Sequence, residues 1–136
     1  MPKTEAALKE IRELNDLVWD WHQGRLPRDL LTWERLIACR FAPEFELVDG
    51  RGQAQNRAHF LEALRGDHGQ KRPRTEVESL RQVTASESLL VFRCVERVET
   101  GARRELTLVL REGFGPRGLS YVLIHEGPLR AAEAGE

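Results

Sequence analysis

The chain has 136 residues, 40% hydrophobic and 32% charged, with 21 Lys and Arg against 22 Asp and Glu for a net charge of −1. That length makes a single domain over 1–136 the default, large enough for a core without staples. Near neutrality gives no overall field for gripping nucleic acid or anionic lipid, and no run is apolar and long enough to span a bilayer, so neither nucleic acid nor membrane is expected as a partner.

"MPKTEAALKEIREL" lacks the basic-then-apolar order of a secretory signal. Cys39 and Cys94 belong to no close-spaced metal or redox motif. Both features fit free thiols in the cytoplasm. Thr4 reads as an N-cap. Leu8, Ile11, Leu14, Val18 and Trp21 then recur at steps of three and four, the pattern of an amphipathic helix with one apolar stripe. Gly24 and Pro27 stop it. Asp29 caps a second, shorter helix through Leu30, Leu31, Trp33, Leu36 and Ile37.

Phe41, Phe45, Leu47 and Val48 mark a strand, and "DGRG" turns it back into a short partner over Gln53–Gln55. Asn56 caps a third helix whose apolar side holds Phe60, Leu61 and Leu64. "HGQKRPR" (His68–Arg74) reads as a solvated loop. Four strands follow, over Thr75–Thr84, Leu89–Val98, Leu106–Leu110 and Leu119–His125, with Thr100-Gly101 as a hairpin signal. The tail from about 130 to 136 has nothing to bury and is expected to fray. Helices first and a run of long strands after is the α+β pattern.

Two motifs are set aside. "GFGPRG" (Gly113 to Gly118) matches a nucleotide-loop spacing, but it joins two strands rather than opening a helix. The four histidines lack ligand spacing, so neither a metal nor a cofactor is expected.

The candidate residues come from strand periodicity. With a two-residue turn at Thr100-Gly101, Val91, Arg93 and Val95 fall opposite Leu110, Leu108 and Leu106. Arg93 then points inward, where its planar fork suits a ligand carboxylate or an internal acid. On that register the mixed face of Leu90, Phe92, Cys94 and Glu96 with Glu105, Thr107, Val109 and Arg111 points outward and suits subunit packing. In "YVLIHEGPL", Tyr121, Leu123 and His125 share a face. Tyr121 and His125 lie about 13 Å apart along an extended strand. His125 is placed as a general base and Tyr121 as a hydrogen-bond donor. His22, from "WDWH", together with Trp33, Phe60 and Leu123, is assigned to the wall of a ligand site.

The ordered set "WDWHQGR", "FAPEFELVDGRG", "NRAHFLEALRGDHG" and "YVLIHEGPL" resembles the nuclear-transport-factor-2-like superfamily, also called ketosteroid-isomerase-like or SnoaL-like, over nearly the whole chain. The resemblance implies a cone-shaped roll, with N-terminal helices in the concave face of a curved mixed or antiparallel sheet, and a homodimer. Similar proteins include isomerases, cyclases, dehydratases, small-molecule binders and association modules. The steroid-isomerase trio of aspartate base, tyrosine and protonated acid is not matched here: Asp49 falls in a turn and Tyr121 is the only tyrosine. The expectation is a small-molecule-binding protein using an apolar cone pocket. A proton-transfer lyase or isomerase and a dimeric association module without catalysis are the alternatives.

Overall fold

A computed structural model of the chain describes residues 3–131. Its elements run α1 (Lys3–His22), α2 (Leu30–Leu36), a 3-10 turn (Ala38–Arg40), β1 (Phe41–Val48), β2 (Ala54–Asn56), α3 (Arg57–Gly66), β3 (Thr75–Ala85), β4 (Leu89–Val98), β5 (Arg103–Glu112) and β6 (Leu119–Glu126). The strands form one sheet in the order β2-β1-β6-β5-β4-β3. The β1–β6 pair is parallel and the other pairs are antiparallel, so the sheet is mixed.

Helix α1 buries Ala7, Ile11, Leu14 and Trp21 along its apolar stripe. Each large apolar side chain so buried contributes roughly 1.5–3 kcal/mol. Thr4 is inside the helix rather than capping it, and its hydroxyl turns to Gln82 on β3. Asp29 does cap α2, accepting from the Thr32 backbone N–H. Asn56 caps α3 through His59 in the same way. Arg57 at the start of α3 donates to the carbonyls of Phe41 and Ala38, which fixes that helix against the start of β1.

The His68–Arg74 loop is exposed from Gly69 onward, as expected of a solvated loop, and is tied to α1. Gly69 and Lys71 donate backbone N–H groups to the carbonyls of Trp21 and His22 at the end of α1. The His68 ring packs edge-on against Trp21, and the Arg74 guanidinium lies over Trp19. In the tail, Arg130 pairs with Arg103 at the start of β5, so fraying does not reach it. Residues 132–136 of that expectation lie outside the described range.

Two local irregularities decide which way the site residues point. The β4–β5 loop contains three residues, not two: Val98 N–H donates to Ala102 and Gly101 N–H to Val98, with Gly101 at φ +96°. A turn closed by a left-handed glycine is the common three-residue hairpin. The extra residue shifts the register by one and reverses every side chain of β4. Leu90, Phe92 and Cys94 therefore oppose Leu110, Leu108 and Leu106 and are buried. Arg93 opposes Thr107, with its side chain 49% exposed beside Glu105. The inward placement of Arg93 is thus corrected: β4 exchanges its two faces, while Leu106, Leu108 and Leu110 of β5 stay inward as expected.

The second irregularity is a bulge in β6. Val109 pairs with Leu123 while Leu110 pairs with Tyr121, leaving Val122 as the extra residue. A bulge inserts one residue and flips the alternation beyond it. Tyr121, Ile124 and Glu126 therefore face the interior cavity described below. Leu123 and His125 turn to the outer face beside Val109 and Thr107, and His125 is exposed. The placements of Leu123 and His125 at the pocket are both corrected.

Candidate functional site: a cavity between helices and sheet

A cavity of about 250 Å³ lies between the helices and the inner face of the sheet. Its apolar wall includes Ile11, Leu14 and Val18 of α1, Phe60 and Leu64 of α3, and Leu106 and Leu108 of β5. This is at the small end for a ligand site, with apolar walls and few polar groups. Three of the residues assigned to a site from sequence line it: His22, Phe60 and Tyr121. Trp33 does not. It is buried against Trp21, with ring centroids 4.9 Å apart, and so belongs to the core.

The polar end of the cavity is built by three adjacent strands. Glu96 on β4, Arg104 on β5 and Glu126 at the end of β6 converge from the inner face. Arg104 Nε donates to Glu96 Oε1 at 2.8 Å. Its Nη2 lies 2.5 Å from the same oxygen and 2.8 Å from Glu126 Oε2. Both carboxylate side chains are 14% exposed, against 27% for Arg104. Burial pushes the Glu126 carboxyl above its ordinary range. Arg104 opposes that shift, while Glu96 and Asp49 add to it. One guanidinium thus serves two acids.

His22 closes α1 and lines the same cavity. Its Nε2 is buried without a hydrogen-bond partner, and Asp67 Oδ2 is 3.9 Å away. Burial lowers its pKa, with the Asp67 charge opposing. The imidazole is therefore neutral at physiological pH and able to exchange a proton with a bound group. Tyr121 is 2% exposed and lines the cavity. Burial, then the charge of Glu10, raises its phenol well above the ordinary value.

A second charged cluster, none of whose residues lines the cavity, is built around α1. Glu10 is fully buried on the apolar stripe, and Arg40 Nη1 donates to both its oxygens, at 2.8 and 2.7 Å. Arg40 Nη2 reaches Glu13 at 2.7 Å, and its Nε reaches the Leu36 carbonyl at 2.6 Å. Arg117, from the "GFGPRG" loop between β5 and β6, also pairs with Glu13 and lies 3.5 Å from Glu10. That loop is a fastening and not a nucleotide cradle. Gly115 sits at φ +73°, where an added Cβ would meet the Leu119 carbonyl oxygen at 2.0 Å.

Sequence reasoning missed Glu96 and Arg104 as cavity residues and left Glu126 on the outer side. The available signal was Gly101, which suits the left-handed position of a three-residue turn and would have set Glu96 opposite Arg104. The bulge at Val122 has no comparable mark in "YVLIHE". Among the described residues, no group of three or more His, Cys, Asp or Glu could hold a metal ion. No helix among them is long and apolar enough to cross a membrane.

Neither a protein-family profile nor a curated protein matches the sequence. Solved structures do match in fold. An NTF-2-like protein of unknown function from Pseudomonas aeruginosa aligns with a TM-score of 0.71 at 24% identity, covering 90% of this chain and 97% of that one. ActVI-ORFA from Streptomyces coelicolor aligns at 0.59 with 17% identity, covering 88% and 95%. A candidate scytalone dehydratase from Novosphingobium aromaticivorans aligns at 0.55 with 14% identity, covering 98% of each chain. With three helices packed on a six-stranded mixed sheet, the chain has the α+β fold of the nuclear-transport-factor-2-like proteins.

Proposed function

We propose that this protein binds a small, mainly apolar molecule in the cavity between α1, α3 and the sheet. The observation behind this reading is an apolar hollow with an ion triad and an unpartnered imidazole nitrogen on its wall. A core selected for stability alone closes such a space and pairs such groups. Fold kinship agrees with a ligand site but does not choose the ligand. Two unpaired cysteines, Cys39 and Cys94, support a cytoplasmic setting. Val18→Phe places an aromatic ring in the cavity from the accessible side of α1. We expect it to keep the native circular dichroism and to lose the binding of phenethyl alcohol seen by ligand-observed NMR with the native protein. Undiminished binding by the variant, or none by the native protein, refutes the reading.

The outer sheet face supports a homodimer as the second part of the proposal. Val91, Val95, Val109 and Leu123 are half-buried there, ringed by Arg93, Glu105 and His125. An apolar centre with a charged rim is the anatomy of a subunit interface. Val109→Arg is expected to convert a dimer into a folded monomer in light scattering after size exclusion. A native protein that already runs as a monomer contradicts this part alone.

A further inference from the structure

The ligand's chemical class follows from which atoms of the ion triad remain unused. We infer that the cavity selects a protonated amine, a small aromatic ammonium whose apolar body lies against Phe41, Phe60 and Tyr121 and whose head meets Glu96 and Glu126. The inference rests on the small-molecule reading above and makes it specific.

The charge balance of the lining is the first argument. Glu96, Glu126 and Arg104 are its ionisable charged groups and sum to one negative charge when both acids are ionised. Asn15, Thr75 and Tyr121 are uncharged, and burial lowers the pKa of the half-buried His22, which disfavours its charged form. The second argument is hydrogen-bond capacity. Arg104 occupies Glu96 Oε1 and Glu126 Oε2. Glu96 Oε2 and Glu126 Oε1 have no protein partner among the described residues. An ammonium carries three donors and no acceptor, so one head group can bond both free oxygens. Charge-assisted bonds of this kind are about twice as strong as neutral ones.

Finally, the wall is aromatic where the body would lie. The Phe41 ring centroid is 5.2 Å from that of Phe60 and 5.4 Å from that of Tyr121. Aromatic faces favour a neighbouring cation.

The test compares three probes of like shape by calorimetry near neutral pH: phenethylammonium, phenethyl alcohol and phenylacetate. The expected order is ammonium tightest, by about tenfold over the alcohol for one charge-assisted contact, with phenylacetate weakest. Glu126→Gln, an isosteric change, is expected to bring the ammonium down to the affinity that the native protein shows for the alcohol. Glu96→Gln offers the same comparison should that variant fold poorly, and the order of probes on the native protein needs no variant. Equal affinity for ammonium and alcohol overturns the amine assignment while the cavity reading stands. Tightest binding of phenylacetate overturns it in favour of Arg104 as anchor. Binding of none of the three removes both.

Discussion

Arg40→Ala is expected to lower the unfolding free energy by about 3–5 kcal/mol, the range for breaking a buried ion pair from one side. The reason is positional. Glu10 is fully buried and bonded through both oxygens to Arg40, which also holds Glu13 and the last carbonyl of α2. Removing the guanidinium leaves Arg117 as the remaining cation, at 3.5 Å from one oxygen. The loss should also depend on pH. Burial already raises the Glu10 carboxyl above its ordinary value, with Arg40 the chief opposing influence. A carboxyl raised on folding gives its full stabilisation below the unfolded value and loses it as pH climbs through the folded value. Without Arg40 the rise is larger, so the variant should lose more at mildly alkaline than at mildly acidic pH. Urea denaturation at the two pH values measures both effects. A loss under about 1 kcal/mol would place this pair with exposed ones.

Trp21→Ala is expected to cost about 3–5 kcal/mol, as for other buried tryptophan truncations. Trp21 joins four parts of the chain. Its ring lies 4.9 Å from Trp33 on α2 and 4.5 Å from His68 in the loop after α3. Its Nε1 donates to the Leu64 carbonyl on α3 at 3.0 Å, and its own carbonyl accepts from Gly24 and Gly69. The next residue is His22, so loosening this joint should also weaken binding in the cavity. Denaturant melts followed by tryptophan fluorescence read the first effect, and phenethyl alcohol titration reads the second. A variant within about 1 kcal/mol of the native protein would show that the joint relaxes freely.

Much of the architecture was legible from residue periodicity. The α1 stripe, both Asx caps at Asp29 and Asn56, the Asp49-Gly50 reversal and the four long strands all follow from local chemistry. The site was less legible, because it depends on parity. Arg93, Leu123 and His125 were sent inward by a two-residue turn and an unbroken alternation. The extra turn residue and the Val122 bulge each reverse one strand's faces. Trp33 was misplaced for a different reason: an aromatic near a helix end suits a core as well as a wall, and Trp21 claimed it. Glu10 gave a fainter signal, an acid between Ala7 and Leu14 on an otherwise apolar stripe. Its partner Arg40 is 30 residues on, beyond any local pattern.

Strand β3 is an edge of the sheet and runs for 11 residues. A straight edge of that length offers a comb of free amides and carbonyls to any passing strand. Here the pairing with β4 slips twice, between Glu78 and Arg81 and between Gln82 and Thr84, and Ser79 takes φ +54°. The spacing of the comb is broken along its outer half, so an incoming strand cannot stay in step. The irregular border thereby guards the protein against fibrillar, strand-by-strand polymerisation.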